Sequence, residues 1–233
     1  MDHGVVVNRL RHQTGGSSAS PAEPPRVYTD LDPGRIRSNL ERIREHAGSE
    51  VEILAATKYV QTDDMGALAE AGIELVGENR LQDLEEKRER WGESFTWDFI
   101  GNLQSRKVKR IVPLVRLIHS VASDSVLEQL GKHAERDTEV LVEVNLSGEE
   151  GKGGIDPSNL DSFIERCPVR VSGLMTMPPF TEDPEASRPY FARLAELAGE
   201  RGLERLSMGT SQDWRVAVQE RATIIRLGSV LWA

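Results

Sequence analysis

From about residue 31 onward, short apolar runs alternate with amphipathic stretches, and small or polar residues close each run. The first run, Val51-Glu52-Ile53-Leu54-Ala55-Ala56-Thr57-Lys58-Tyr59, has the length of a strand buried on both faces and carries Lys58 at its carboxyl end. Further strands are predicted at 73–76, 97–100, 117–121, 140–145, 171–177, 206–208 and 223–227. Helices are predicted between them. Asp32-Pro33 offers an N-cap and a first-turn proline, followed by Ile36, Leu40 and Ile43 on one face and Gly48 as a stop. Thr62-Asp63-Asp64, Ser123-Asp124-Ser125, Asp156-Pro157 and Ser211-Gln212-Asp213 read as further helix starts, while residues 81–91 and 189–201 are helical by spacing.

Eight rounds of strand and helix in about 200 residues predict a parallel α/β architecture, and eight strands close a barrel. A doubly wound sheet is the alternative. Unusual residues end successive strands all along the chain: Lys58, Asn79, Gly101-Asn102, Ser120, Asn145, Met177-Pro178, Gly209-Thr210-Ser211 and Gly228-Ser229. A closed barrel brings all these ends to one mouth, whereas an open sheet gathers ligand residues near one crevice. The expected fold class is therefore α/β, a (β/α)8 TIM barrel over residues 31–233. Residues 1–30, with Gly15-Gly16-Ser17-Ser18 and Pro24-Pro25, are expected to form a flexible tail.

Composition narrows the chemistry. The chain holds 23 Arg but only six Lys, at 58, 87, 107, 109, 132 and 152. Arginine stays protonated, whereas a desolvated lysine can act as an amine nucleophile and form a Schiff base. Of the six, Lys58 alone closes an apolar strand, although a strand-end lysine reaching into water reads equally well from the sequence. A formal charge of −9 excludes a general nucleic-acid-backbone binder. No stretch has the length and apolarity of a membrane span, and no secretory signal is evident. The single Cys167 has no partner for an internal disulfide, so a cytoplasmic protein is expected. The five histidines are scattered without metal-ligand spacing.

The loops after strands seven and eight often hold phosphate in such barrels, and here they read Met208-Gly209-Thr210-Ser211 and Arg226-Leu227-Gly228-Ser229. Glycines admit an anion to backbone N–H groups, and hydroxyls add donors. Taken singly, Ser211 could be a plain N-cap and each glycine a tight turn. A reactive lysine facing a phosphate cradle suits an aldehyde that also carries phosphate, and pyridoxal 5′-phosphate (PLP) is both. A Schiff-base aldolase would need partners for proton transfer. Only Glu78 and Asp98 stand near strand ends as carboxylates, and His119 reads as a hydrogen-bonded histidine under the rim.

The motifs Ala55-Ala56-Thr57-Lys58, Gly77-Glu78-Asn79, Phe99 to Lys107, Ile118-His119-Ser120-Val121, Ser172 to Met177, Leu206-Ser207-Met208-Gly209 and Arg226-Leu227-Gly228-Ser229 occur in order from residue 30 to the end. Together they resemble the YggS/PROSC family of pyridoxal phosphate homeostasis proteins. The resemblance implies an alanine racemase N-terminal-domain-like barrel without the C-terminal β domain, with PLP held as a Schiff base on Lys58. It implies phosphate contacts from Ser207, Gly209, Ser211, Gly228 and Ser229, with Asn79 and Arg226 lining the cofactor. It further implies a role in vitamin B6 and amino-acid homeostasis as a PLP carrier, with PLP-dependent apoenzymes as recipients and a monomer or weak dimer as the working form. A PLP-dependent racemase of low activity is the alternative. The opposite-face tyrosine of such racemases comes from the β domain, and Tyr28, Tyr59 and Tyr190 are not expected to replace it. Four positions depart from the family pattern: Asp98 for His, Thr210 for Met, Arg221 for a helix-ending Gly and Ala233 for Gly. Asp98 and Arg221 are expected to alter the rim and a helix end.

Overall fold

The computed structural model describes residues 28–149 and 151–232. Eight parallel strands close in sequence order into a barrel: β1 Glu52–Ala56, β2 Leu75–Glu78, β3 Thr96–Phe99, β4 Leu117–Val121, β5 Glu139–Glu143, β6 Arg170–Met175, β7 Arg205–Ser207 and β8 Ile224–Leu227. The last strand returns to the first, with Leu54 opposite Arg226 and Ala55 opposite Leu227. The strands fall where the apolar runs predict them, to within two residues at most ends. The exception is β1, which stops at Ala56 and leaves Lys58 in a turn beyond it.

Helices α1 Pro33–Ala47, α2 Met65–Glu70, α3 Leu81–Trp91, α4 Val108–Ile111, α5 Asp124–His133, α6 Leu160–Glu165, α7 Arg188–Gly199, α8 Trp214–Gln219 and α9 Ser229–Trp232 surround the sheet. α1 follows its sequence signals closely. Asp32 Oδ1 accepts the N–H groups of Gly34 and Arg35, Pro33 opens the first turn, and Gly48 takes φ 85° beyond the last residue. Its buried face is Ile36, Leu40, Ile43 and Ala47.

Other caps differ from their reading. Thr62-Asp63-Asp64 forms a 3-10 turn with no side-chain cap bond, because Thr62 Oγ1 instead meets Glu86 at 2.5 Å and Asp63 pairs with Arg90. Ser123 holds the N-cap position of α5, but its hydroxyl faces Ser125 at 3.2 Å. Residues 28–30, assigned to the tail, are docked on the barrel: Tyr28 N–H donates to Tyr59 O at 2.8 Å, and Asp30 N–H to Asp64 Oδ1 at 3.0 Å. The remainder of the expected tail lies outside the described residues.

The apolar interior divides in two. A large cluster fills the space between strands and helices, and a smaller one, Leu54, Leu75, Leu117, Leu141, Met175 and Ile224, plugs the barrel itself. At the N-terminal end Glu52 pairs with Arg116 at 2.8 Å and Arg205 at 3.6 Å, and Glu139 pairs with Arg170 at 2.8 Å. The barrel is thus a packed body with a charged floor, and the end left for chemistry is the carboxyl mouth.

Candidate functional site

The site begins with how β1 ends. Thr57 is fully buried; its N–H donates to Gly77 O at 3.1 Å and its hydroxyl to Glu78 Oε1 at 2.5 Å. Lys87, also buried, donates to the same Glu78 oxygen at 2.6 Å and to Thr57 O at 2.7 Å. Burial raises the Glu78 carboxyl above its ordinary pKa, against the pull of Lys87. This clamp fixes the residue before Lys58, and a turn closed by Val60 N–H on Thr57 O at 2.9 Å fixes the one after. The Lys58 side chain is left exposed, its amine 4.7 Å from the centre of the Tyr59 ring. Lys87 is the buried lysine that strand-end reasoning passes over. Its amine is committed to Glu78 and Thr57, so Lys58 remains the available nucleophile.

A cavity of about 350 Å³ opens beside that amine, within the usual range for small-ligand sites. Six of the eight residues expected to hold a cofactor line it: Lys58, Asn79, Ser211, Arg226, Gly228 and Ser229. Ile100, Ala56 and Met177 supply apolar wall. Tyr28, Tyr59 and Trp232 line it as well, with Tyr28 edge-on to Trp232 at 5.7 Å. Nothing in the composition points Tyr28 there, since it assigns this residue to the tail. Larger hollows of about 510 and 440 Å³ lie around Arg116 at the charged floor, and none of the expected site residues lines them.

Ser207 and Gly209 do not line the cavity. Ser207 sits below it, completely buried, with its hydroxyl 2.5 Å from Arg226 Nη1 and 2.8 Å from His119 Nδ1. The Ser207 side chain therefore contacts Arg226 where a direct phosphate contact was expected. Gly209 acts through its backbone: φ is 89°, a Cβ there would lie 2.6 Å from that of Ala217, and its carbonyl accepts Arg226 N–H at 3.0 Å. His119 is buried under the rim as expected. Asp98 is not at the rim: it is buried inside the barrel, 3.1 Å from His119 Nε2 and 2.8 Å from Arg116 Nη2.

Ser211 is no N-cap. Its hydroxyl oxygen accepts Gly228 N–H at 3.0 Å, tying the two predicted phosphate loops together, while Asp213 holds the cap position of α8 and accepts Thr210 N–H at 2.7 Å. A Cβ at Gly228 would meet nothing nearer than Ala56 O at 3.7 Å, so the space above this glycine is open.

Arg226 is buried, and among the described residues its side-chain hydrogen bonds go to neutral groups alone. It spends Nη1 on Ser207 and Nη2 on Thr176 O at 3.0 Å and Met177 Sδ at 2.9 Å. Burial pushes its pKa down to about 10, with Glu143 and Asp213 acting in the other direction. Asn79 Oδ1 is buried without a hydrogen-bond partner among the described residues. A buried guanidinium hydrogen-bonded only to neutral groups and a buried acceptor without a donor both invite a polar ligand. The donor set, a free amine and a glycine-hydroxyl cradle fit a small phosphorylated aldehyde.

The family described as alanine racemase, N-terminal domain, matches residues 31–233. A pyridoxal phosphate homeostasis protein of Aquifex aeolicus is 39% identical over 85% of this chain and 94% of its own length. The chain belongs to the pyridoxal phosphate homeostasis family. Another member, from Corynebacterium glutamicum, is 32% identical over 84% of this chain and 95% of its own. Among solved structures, PipY of Synechococcus elongatus PCC7942 with PLP bound has a TM-score of 0.76 and 30% identity, over 85% of this chain and all of that one. Alanine racemase from Corynebacterium glutamicum shares the fold at a TM-score of 0.68 and 18% identity, matched over 60% of its length. Membership agrees with the closed barrel.

Proposed function

We propose that this protein binds PLP at the barrel mouth, holds it as a Schiff base on Lys58, and serves PLP and amino-acid homeostasis as a cofactor carrier in the cytoplasm. The observation that carries the reading is that one cavity gathers Lys58, Arg226 and the Ser211-Gly228-Ser229 cradle. PLP supplies an aldehyde that condenses with a lysine amine, and a phosphate for a cradle to grip. The clamp of Glu78, Lys87 and Thr57 fixes the backbone at Lys58 while leaving its amine exposed. Ser211 holds the two loops of the cradle at a fixed distance. Asn79 and Arg226 offer one acceptor and several donors to the ring or the phosphate. Among the described residues no helix is long and apolar enough to cross a membrane.

Carriage requires release, and among the described residues the cavity wall has no carboxylate or histidine to drive further proton transfer. That argues against the aldolase reading. PLP-dependent apoenzymes are the recipients this function calls for, with the chain acting as a monomer or weak dimer. A slow racemase is the second reading, and the two tyrosines in the wall are what favour it. The test is a visible absorption spectrum of purified protein titrated with PLP. A yellow complex that bleaches with borohydride and fails to form in Lys58→Ala is expected. A colourless protein that does not respond to PLP would refute the reading.

A further inference from the structure

One line of hydrogen bonds runs through the barrel from the charged floor to the cavity. Arg116, outside the start of β4, donates Nη1 and Nη2 to Glu52 at 2.8 and 2.9 Å, and Nε and Nη2 to Asp98 at 3.1 and 2.8 Å. Asp98 Oδ2 lies 3.1 Å from His119 Nε2, His119 Nδ1 lies 2.8 Å from Ser207 Oγ, and Ser207 Oγ lies 2.5 Å from Arg226 Nη1. Five residues from β1, β3, β4, β7 and β8, with Arg116, form this relay. Only Arg226 at its upper end lines the cavity.

We propose that Asp98 and His119 are positioning residues: they fix the direction of every hydrogen bond in the relay, and so hold the Arg226 guanidinium in one pose for the ligand. Ionised Asp98 can only accept, so His119 must carry its hydrogen on Nε2. Burial works against that ionisation, but the hydrogen bonds from His119 and Arg116 more than offset it and bring the carboxyl below its usual range. Neutral His119 then has a lone pair on Nδ1, and the Ser207 hydroxyl must donate to it. That donation leaves the Ser207 oxygen to accept from Arg226. Burial keeps the imidazole neutral against the pull of Asp98, and the nearby charges of Arg226 and Arg116 disfavour a second proton. With Nη1 and Nη2 tied to Ser207, Thr176 and Met177, the Nε–H and the second Nη1–H have no partner among the described residues. Those two donors are what the relay presents. A fixed guanidinium loses less entropy on binding than a mobile one, so the relay acts on affinity without touching the ligand.

Asp98→Asn removes the acceptor-only character. The new amide can donate to His119 Nε2, which moves the ring hydrogen to Nδ1 and turns the Ser207 hydroxyl away. This inference rests on Arg226 facing bound PLP, so two readouts are needed. The first is 15N-resolved NMR of the histidine ring nitrogens, assigned with His119→Gln, in protein with and without PLP. The expected result is a neutral Nε2–H tautomer for His119 from pH 5.5 to 8.5, lost or reversed in Asp98→Asn. The second is PLP affinity, expected to fall about tenfold in Asp98→Asn and in Ser207→Ala, the scale that outer partners carry around bound metals. If a variant fails to fold, the wild-type tautomer still decides the relay. A His119 that titrates normally, or an affinity unchanged in both variants, overturns the proposal. Failure of the wild type to bind PLP, with the tautomer as expected, falls on the functional reading instead.

Discussion

At the scale of single residues, two side chains carry consequences that can be measured. Arg221, at a helix end where the family resemblance leads one to expect glycine, adopts the left-handed region, with φ 70°. An L-residue there is strained by roughly 1–2 kcal/mol relative to glycine. Arg221→Gly is therefore expected to stabilise the protein by about 1 kcal/mol, read as a higher urea midpoint at unchanged slope. His119 gives a pH prediction. Its folded pKa lies below the ordinary 6.5, so as pH falls through 6.5 the unfolded chain takes a proton that the folded one does not. The folded state loses stability on acidification through that window. In His119→Gln this contribution is absent, so the stability gap between wild type and variant should narrow from pH 7 to pH 5. A gap independent of pH would mean that His119 titrates in the folded protein as it does in the unfolded chain, and a gap that widens would mean that the fold holds it charged.

At the scale of elements, the ends of β7 and β8 distinguish two uses of glycine. Gly209 is required by the fold, since its φ is positive and a side chain would press on Ala217 and on the Trp214 backbone in α8. Gly228 has room for a Cβ, so there a side chain projects into open cavity. Gly209→Val is expected to destabilise by about 1–3 kcal/mol or more through overpacking. Gly228→Val is expected to leave thermal unfolding nearly unchanged while weakening PLP binding more than pyridoxal binding. Equal weakening of both ligands would show that the loop shapes the ring pocket. The strand ends were legible because apolar runs stop where backbone pairing stops. The fate of each side chain was not, because that depends on which face the strand turns inward. Ser207 and Ser211 both looked like phosphate ligands, yet the first points into the barrel and only the second reaches the cavity. Asp98 reads as a rim residue from the sequence for the same reason, being one residue short of the end of β3.

At the scale of the whole molecule, closure of the barrel makes partners of residues far apart in sequence, such as His119 and Ser207, 88 positions apart. No local pattern announces such a pair. Tyr28 is a second case, placed in the wall by one bridge to Val60 that composition could not foretell. Eight strands, one lysine and one cradle were legible because they repeat or stand out within short windows. The wall so assembled has Lys58, two tyrosines and Arg226 as its titratable groups. Racemisation needs acid/base groups on both faces of the cofactor plane. Turnover of single amino-acid enantiomers by the PLP-loaded protein, followed by chiral chromatography, is expected to stay below about 1 per second, the lower edge of typical enzyme rates. Faster turnover lost in Lys58→Ala would favour the enzyme reading. The claim on which all else depends is the covalent link at Lys58. Borohydride reduction of PLP-loaded protein, then proteolysis and mass mapping, tests it directly: the pyridoxyl group is expected on Lys58, and recovery chiefly on Lys107 or Lys152, or on no lysine, would contradict it.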